Sequence, residues 1–202
     1  MLRRSLVACA ALSAALLSAP VLAQTVGQSA PALALKDSAG KLVNLADFRG
    51  KTVVLEWVNP SCPFVKKHYG AGHMQATQKA AASDGVVWLS VSSTHPGHAD
   101  YKQPAELASW MQQQGSGASA LLMDDDGKVG KAWGARTTPH LYVVNPAGTL
   151  VYAGAIDSKP SANPADIPAA TNYVRQTLGE LKAGQAVSKP SSTPYGCSIK
   201  YS

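Results

Sequence analysis

Cysteine is scarce in this chain. The 202 residues contain three cysteines, Cys9, Cys62 and Cys197. Cys9 lies in an N-terminal apolar stretch that we interpret as a removable leader, which leaves Cys62 and Cys197 in the mature chain. Without the leader, about 179 residues remain, which predicts one domain. A domain of that size buries a hydrophobic core without disulfide staples.

Long basic runs and late apolar runs are also missing. The chain carries 18 basic and 12 acidic residues, a formal net charge of +6, and the basic residues are scattered except for Lys66-Lys67. We therefore expect no nucleic-acid binding. No apolar run after residue 23 is long enough to span a membrane, so we expect no membrane contact once the leader is removed.

The N-terminus has the pattern of a secretory signal peptide. Arg3 and Arg4 precede an Ala/Leu-rich run over residues 5–22, and Ala23 ends a segment that resembles a cleavage site. We predict a signal peptide over residues 1–23, and a periplasmic or secreted protein that starts at Gln24. Loss of Arg3 and Arg4 would lower the net charge from +6 to +4. Export would also permit a disulfide bond.

Hydrophobic periodicity predicts an α/β domain over residues 24–186, with a central mixed sheet flanked by helices. A hairpin at the N-terminal side is expected over residues 33–45. The run over residues 52–58 fits a strand that is buried on both faces. Further strands are predicted over residues 86–92, 120–124, 141–144 and 149–153. Helices are predicted over residues 63–69, 74–82, 104–114, 127–133 and 166–183. Residues 187–202 form a Ser/Pro/Lys-rich tail that carries Cys197.

Cys62 is the main candidate for a reactive residue in the predicted domain. It follows a buried strand and a turn, and Pro63 after it suits the first turn of a helix. A thiol at a helix N-terminus meets free backbone N–H groups and the positive end of the helix dipole, and such thiols have pKa values of roughly 3.5–7.5 instead of about 8.5. Lys66 and His68 are candidates for adding positive charge. The alternative is an inert, buried cysteine.

Three motifs carry a resemblance to a known family. They are residues 47–51 (Asp-Phe-Arg-Gly-Lys), residues 59–65 (Asn-Pro-Ser-Cys-Pro-Phe-Val) and Thr137-Thr138-Pro139. With them, the chain from residue 31 to residue 157 resembles exported thioredoxin-fold redoxins of the peroxiredoxin-like (alkyl hydroperoxide reductase / thiol-specific antioxidant) family. The resemblance implies a thioredoxin-like fold and a nucleophilic Cys62 that needs no cofactor. It also implies a cis peptide bond at Pro139, which together with Thr138 would shape the substrate groove.

Two departures from the family patterns leave the reaction open. Thioredoxins carry a second cysteine three residues after the first, and Val65 occupies that position here. Peroxiredoxins carry a threonine three residues before the nucleophile, and Asn59 occupies that position. We therefore expect a thiol-disulfide oxidoreductase or a thiol peroxidase, without a choice between disulfide and peroxide as the substrate. The substrate would be a protein or a small molecule, and an external thiol would serve as reductant.

Cys197 is the candidate partner of Cys62. We expect the tail to fold back over the domain, with Gly196 permitting an unusual turn and Tyr195 anchoring the end. The resulting disulfide would be catalytic, with Cys197 resolving the oxidised nucleophile, or purely structural. The remaining alternative is an exposed tail thiol with no part in catalysis.

Three further side chains are candidates for the surroundings of the sulfur. Trp57 precedes the turn and is expected to shield the thiol. Glu56 lies in an apolar strand and faces either the core, as a possible proton carrier, or the solvent. His140 follows Pro139 and is a candidate for tuning the thiolate.

The runner-up function is soft-metal binding on the same fold. Cys62, His68 and Cys197 together would suit copper(I), as in a metallochaperone. Val65 breaks the usual pair of neighbouring cysteines in such proteins. We therefore assign no metal site and no cofactor.

Overall fold

The computed structural model describes residues 25–202, and the predicted signal peptide therefore lies outside the described residues. The strands of this part are β1 (Ala34–Asp37), β2 (Leu42–Asn44), β3 (Val53–Trp57), β4 (Val87–Ser92), β5 (Ala120–Met123), β6 (Thr137–Thr138), β7 (His140–Val144), β8 (Leu150–Gly154) and β9 (Cys197–Ser198). The helices are α1 (Pro63–Gly70), α2 (His73–Ser83), α3 (Pro104–Gln113), α4 (Lys128–Ala132) and α5 (Tyr173–Lys182), with 3-10 turns at Leu45–Phe48 and Pro164–Ala169.

A mixed sheet forms the centre of the described domain. Its strand order is β2-β1-β5-β4-β3-β7-β8. Strand β3 pairs in parallel with β4 and antiparallel with β7, and β4 pairs in parallel with β5. The predicted N-terminal hairpin is present as β1 and β2, joined at Asp37, whose side chain accepts hydrogen bonds from the N–H groups of Ala39 and Lys41. The predicted fold class, a thioredoxin-like α/β fold with a central mixed sheet, is confirmed.

The sheet has a hydrophobic core on each face. All five residues of β3 are buried, and alternate side chains of a strand point to opposite faces. Val54 belongs to one cluster, which includes residues of α1, α2, α3 and α5 as well as Cys62. Trp57 belongs to the other cluster, with Trp133 and Tyr142. The predicted two-sided burial of this strand is therefore confirmed.

The prediction of one helix over residues 166–183 is wrong. A 3-10 turn covers Pro164–Ala169, and the backbone is extended at Ala170 before α5 begins. Asn172 caps α5, because its side chain accepts a hydrogen bond from the N–H of Arg175 at 2.9 Å. The apolar spacing runs through both segments, but Pro168 cannot donate a backbone hydrogen bond and Asn172 favours a helix start.

The C-terminal tail folds back onto the domain and contacts first β8 and then β6. Ser191 pairs with Ala153 of β8, and the N–H of Ser192 donates to the carbonyl of Ala153. Further on, β9 pairs antiparallel with β6. Within residues 25–202, no helix has the length and apolar character needed to cross a membrane.

Candidate active site

Cys62 is the N-cap residue of α1, directly before Pro63 at the first helical position. The turn that places it there is built by Asn59. The Asn59 side-chain oxygen accepts from the N–H of Ser61 at 2.8 Å, and its backbone carbonyl accepts from the N–H of Cys62 at 3.1 Å. The Asn59 amide also donates to the hydroxyl of Thr94 at 3.3 Å. Asn59 therefore shapes the loop and positions the cysteine between strand and helix.

The Cys62 sulfur is buried, with 2% of the residue exposed. Burial by itself raises a thiol pKa, but hydrogen bonds from the Cys197 side chain, from Thr138 and from the backbone of Val65 and Cys197 outweigh it, and the pKa of Cys62 is lowered. In its neutral form the thiol donates to the Thr138 carbonyl at 2.9 Å. This setting favours the thiolate, which is the nucleophilic form.

Cys197 lies opposite this sulfur. In the pairing of β9 with β6, Cys197 is the direct partner of Thr138, and the peptide bond that follows, Thr138–Pro139, is cis as expected. Both cysteines are free thiols in the structure. Burial, followed by the neighbouring Cys62 sulfur, raises the pKa of Cys197 to about 12. The pair is therefore asymmetric, with the negative charge on Cys62 and the proton on Cys197.

A chain of hydrogen bonds behind the thiol pair holds the tail. The Tyr195 hydroxyl donates to Asp157 at 2.5 Å, so its oxygen accepts from His68 Nε2 at 3.2 Å. His68 Nδ1 then accepts from His73 Nδ1 at 2.8 Å, and His73 Nε2 accepts from the Asn172 amide at 3.1 Å. Each neutral imidazole uses one nitrogen as donor and one as acceptor. Burial lowers the pKa of His68 to about 3 and also lowers that of His73, which agrees with neutral rings.

His68, His73 and Asp157 are also the described residues whose ligand atoms converge closely enough for a metal ion, within 4.8 Å of one another. Lys67 already supplies a cation there. Its ammonium lies 3.9 Å from Asp157 Oδ2, and both side chains are fully buried. The cluster is therefore balanced in charge without a metal ion. The copper set of the runner-up interpretation, Cys62, His68 and Cys197, is not assembled among the described residues, because His68 belongs to this cluster and the two cysteines do not.

Glu56 faces the core, which settles the two alternatives for its orientation. Its Oε2 atom accepts hydrogen bonds from Trp88, Tyr69, Gln78 and Ser90 at 2.8–3.3 Å, whereas Oε1 has no partner. Burial raises the pKa of this carboxyl to about 7 despite those bonds. None of these hydrogen-bond partners forms a hydrogen bond with the Cys62 sulfur, which donates to the Thr138 carbonyl, so the network gives no support to a proton-carrier role.

Three of the predicted site residues, Trp57, Lys66 and His140, form no hydrogen bond with the Cys62 sulfur in the described part of the chain. The expectation that Trp57 shields the thiol is wrong, because its ring packs against Trp133 and Tyr142 on the opposite face of the sheet. Lys66 is exposed, and the buried lysine of α1 is its neighbour Lys67.

His140 packs on Tyr142 at a ring distance of 4.4 Å, and its Nδ1 accepts from the N–H of Arg136. Burial, with a smaller contribution from the nearby Arg136 charge, lowers the pKa of His140 to about 3. The largest contributions to the pKa shift of Cys62 come from burial and from hydrogen bonds with Cys197, Thr138 and Val65, and His140 is not one of them.

Sequence reasoning missed the partners that hold the tail. Lys67, His73 and Asp157 were not among the predicted site residues, and Tyr195 was expected only as an apolar anchor. Asp157 and Tyr195 are 38 residues apart in sequence, and no local spacing connects them. His68 was expected only to add positive charge beside Cys62, and the sequence does not show that its ring is buried and therefore needs hydrogen-bond partners.

Comparison with known proteins identifies the family. The model of the AhpC/TSA family matches residues 26–153, which is more than half of the chain. The chain belongs to the AhpC/TSA family. The matched part of this AhpC/TSA protein ends before Asp157 and before the tail, so the resemblance covers Cys62 but not Cys197. No curated protein sequence matches the chain.

Solved structures agree with the fold. An uncharacterized conserved protein from Geobacillus kaustophilus has 25% sequence identity and a TM-score of 0.74, over 88% of this chain and 93% of that one. A hypothetical protein from Sinorhizobium meliloti has 23% identity and a TM-score of 0.74, over 89% and 96% of the two chains.

A thioredoxin domain of a thiol-disulfide oxidoreductase from Bacteroides vulgatus has 25% identity and a TM-score of 0.51, over 65% of this chain and 89% of that one. The AhpC/TSA chain described here is therefore similar to thioredoxin-fold thiol oxidoreductases.

Proposed function

We propose that the protein is an exported thiol oxidoreductase in which Cys62 and Cys197 form a redox pair. The observation that carries this proposal is the asymmetry of the two thiols. The buried Cys62 has the lowered pKa, and the partly exposed Cys197 keeps its proton in direct register with Thr138. The leader-like N-terminal sequence supports a periplasmic or secreted location, where the pair would meet oxidants.

In the oxidising half of the cycle, the Cys62 thiolate attacks the oxidant. With a peroxide, the sulfur takes one oxygen, the O–O bond breaks, and Cys62 becomes a sulfenic acid while hydroxide or an alcohol leaves. The Cys197 thiol then attacks that sulfur and releases water, which leaves a Cys62–Cys197 disulfide. With a disulfide as oxidant, Cys62 forms a mixed disulfide, and Cys197 displaces the second thiol in the same way.

In the reducing half, an external thiolate attacks the more exposed sulfur, that of Cys197. The Cys62 thiolate leaves, since a thiol of lower pKa is the better leaving group. A second external thiol then attacks the external sulfur of this mixed disulfide and releases Cys197 as a thiol; the two external thiols leave as a disulfide and have supplied two electrons to the protein. The two thiols therefore have separate roles: Cys62 reacts with the oxidant, and the sulfur of Cys197 is the one that the external reductant attacks.

Stopped-flow oxidation of the reduced protein tests this proposal. Hydrogen peroxide and a small disulfide would be compared on wild type, Cys62→Ser and Cys197→Ser, with loss of the protein's own thiols, counted after quenching and removal of small molecules, as the readout. We expect two thiols lost per oxidant in wild type, one in Cys197→Ser and none at a comparable rate in Cys62→Ser. Equal oxidation rates in wild type and Cys62→Ser would contradict the assignment of the nucleophile.

A further inference from the structure

The space beside the Cys62 sulfur is filled by the chain's own tail. Residues 195–197, here called the strap, approach the backbone at Thr138, whose carbonyl also faces the Cys62 sulfur. Gly196 has a φ of 139°, and a Cβ atom at that position would overlap the Thr138 carbonyl. A side chain is therefore not tolerated there, and the strap backbone lies directly on the cis-proline segment.

The first residue of the strap is held by a buried charged cluster. The Tyr195 hydroxyl donates to Asp157, a residue that is 1% exposed, and accepts from His68. The tyrosine ring also packs against Phe64, two residues after Cys62, with 5.7 Å between ring centroids. A hydrogen bond to a carboxylate is stronger than one between neutral groups, and in a buried setting water does not compete for it. Tyr195 therefore acts as the latch of the strap.

Access to the two sulfurs is unequal for this reason. Cys62 is 2% exposed, whereas Cys197, within the strap, is partly exposed. Nucleophilic attack requires the oxidant to reach the Cys62 sulfur itself. A small molecule, such as a peroxide or a low-molecular-weight disulfide, needs only a local displacement of the strap, but a folded protein that carries a disulfide needs the strap to leave.

We propose that the latched strap makes Cys62 selective for small oxidants, such as a peroxide or a low-molecular-weight disulfide, and excludes disulfides on protein surfaces. This proposal rests on the proposed function of Cys62 as nucleophile and adds the substrate class. Tyr195 is its specificity-determining residue, acting through the position of the strap. Loss of the bond to Asp157 would raise the open fraction of the strap by about 10- to 100-fold.

The test compares two probes with the same reacting group. Both are mixed disulfides with thionitrobenzoate, one on N-acetylcysteine and one on a single surface cysteine of ubiquitin. Cys62 attacks the mixed disulfide and releases coloured thionitrobenzoate, and Cys197 then displaces the cysteine thiol. Rates would be measured for wild type, Tyr195→Phe and Tyr201→Phe. Tyr201 is the matched control, because it is a tail tyrosine that donates to the Ala135 carbonyl at 2.8 Å, away from the latch.

We expect wild type and Tyr201→Phe to react at least about 100-fold faster with the small probe. In Tyr195→Phe the rate with the ubiquitin probe should rise by about 10-fold or more, while the rate with the small probe stays within about 3-fold. The small-probe rate also reports whether the variant is folded and active. Comparable rates of wild type with both probes, or an unchanged ratio in Tyr195→Phe, would overturn the strap proposal. Failure of wild type to react with either probe would instead contradict the proposed function.

Discussion

Replacing Glu56 with glutamine should remove a pH dependence from the stability of the protein. Glu56 is completely buried, and desolvation raises its pKa from 4.5 to about 7 against the hydrogen bonds from Trp88, Tyr69, Ser90 and Gln78. A carboxyl whose pKa is higher in the folded state binds its proton more tightly there. Its contribution to stability is therefore complete below pH 4.5 and is lost as the pH rises through about 7.

The size of this effect follows from the two pKa values. A rise from 4.5 to about 7 corresponds to about 3 kcal/mol of unfolding free energy, of which about 2–3 kcal/mol is lost between pH 5 and pH 8.5. Glutamine resembles the protonated acid in shape and does not ionise. Glu56→Gln should therefore resemble wild type at pH 5 and exceed it in stability by about 2–3 kcal/mol at pH 8.5.

Urea unfolding at the two pH values measures this difference. Glu106→Gln is the matched control, because Glu106 is an exposed carboxyl in the first turn of α3. The comparison of each variant with wild type at the same pH cancels the titration of all other groups. A difference between Glu56→Gln and wild type that stays constant with pH, within about 0.5 kcal/mol, would refute the argument.

Three further substitutions test the site. Asp157→Asn leaves the buried Lys67 ammonium uncompensated and should destabilise the protein by about 3–5 kcal/mol in urea unfolding; a loss below about 1 kcal/mol would contradict the buried ion pair. In Gly196→Val, the added side chain would overlap the Thr138 carbonyl, so we expect the strap to detach. Peroxide treatment should then leave a sulfenic acid on Cys62 that a dimedone probe traps. Formation of the intramolecular disulfide at the wild-type rate would contradict this packing. Asn59→Ala removes the acceptor for the Ser61 N–H and should lower the free energy of unfolding by about 1 kcal/mol. It should also slow the alkylation of Cys62 by iodoacetamide. An unchanged alkylation rate would show that Asn59 does not position the thiol.

Much of the fold was predictable because its signals are local. The Asp37 turn, the continuous apolar run of β3 and the proline at the start of α1 each specify structure within a few residues. The helix over residues 166–183 was mispredicted because apolar spacing continues across a break that Pro168 and the Asn172 cap impose. Periodicity describes which side chains face the core, and it does not show where the backbone hydrogen bonds stop.

The two cysteines of the candidate site were predictable from the sequence, but the residues that position them were not. Cys62 was indicated by its strand-turn-helix setting, and Cys197 by being the remaining thiol once the predicted leader is set aside. Lys66 was chosen over Lys67 because sequence does not give the rotation of α1 about its axis, and one residue turns a side chain by about 100°. Trp57 was placed near the sulfur for a similar reason, since a strand buried on both faces has no polar side to orient it.

The redox pairing of Cys62 with Cys197 is the central claim, and one measurement tests it most directly. Reduced protein would be treated with one equivalent of hydrogen peroxide, quenched with an alkylating agent and digested without reduction for peptide mapping by mass spectrometry. We predict a single intramolecular disulfide that joins the peptides of Cys62 and Cys197. Recovery of Cys197 as an alkylated free thiol, with Cys62 oxidised to sulfinic acid or joined to a second copy of the chain, would contradict the account.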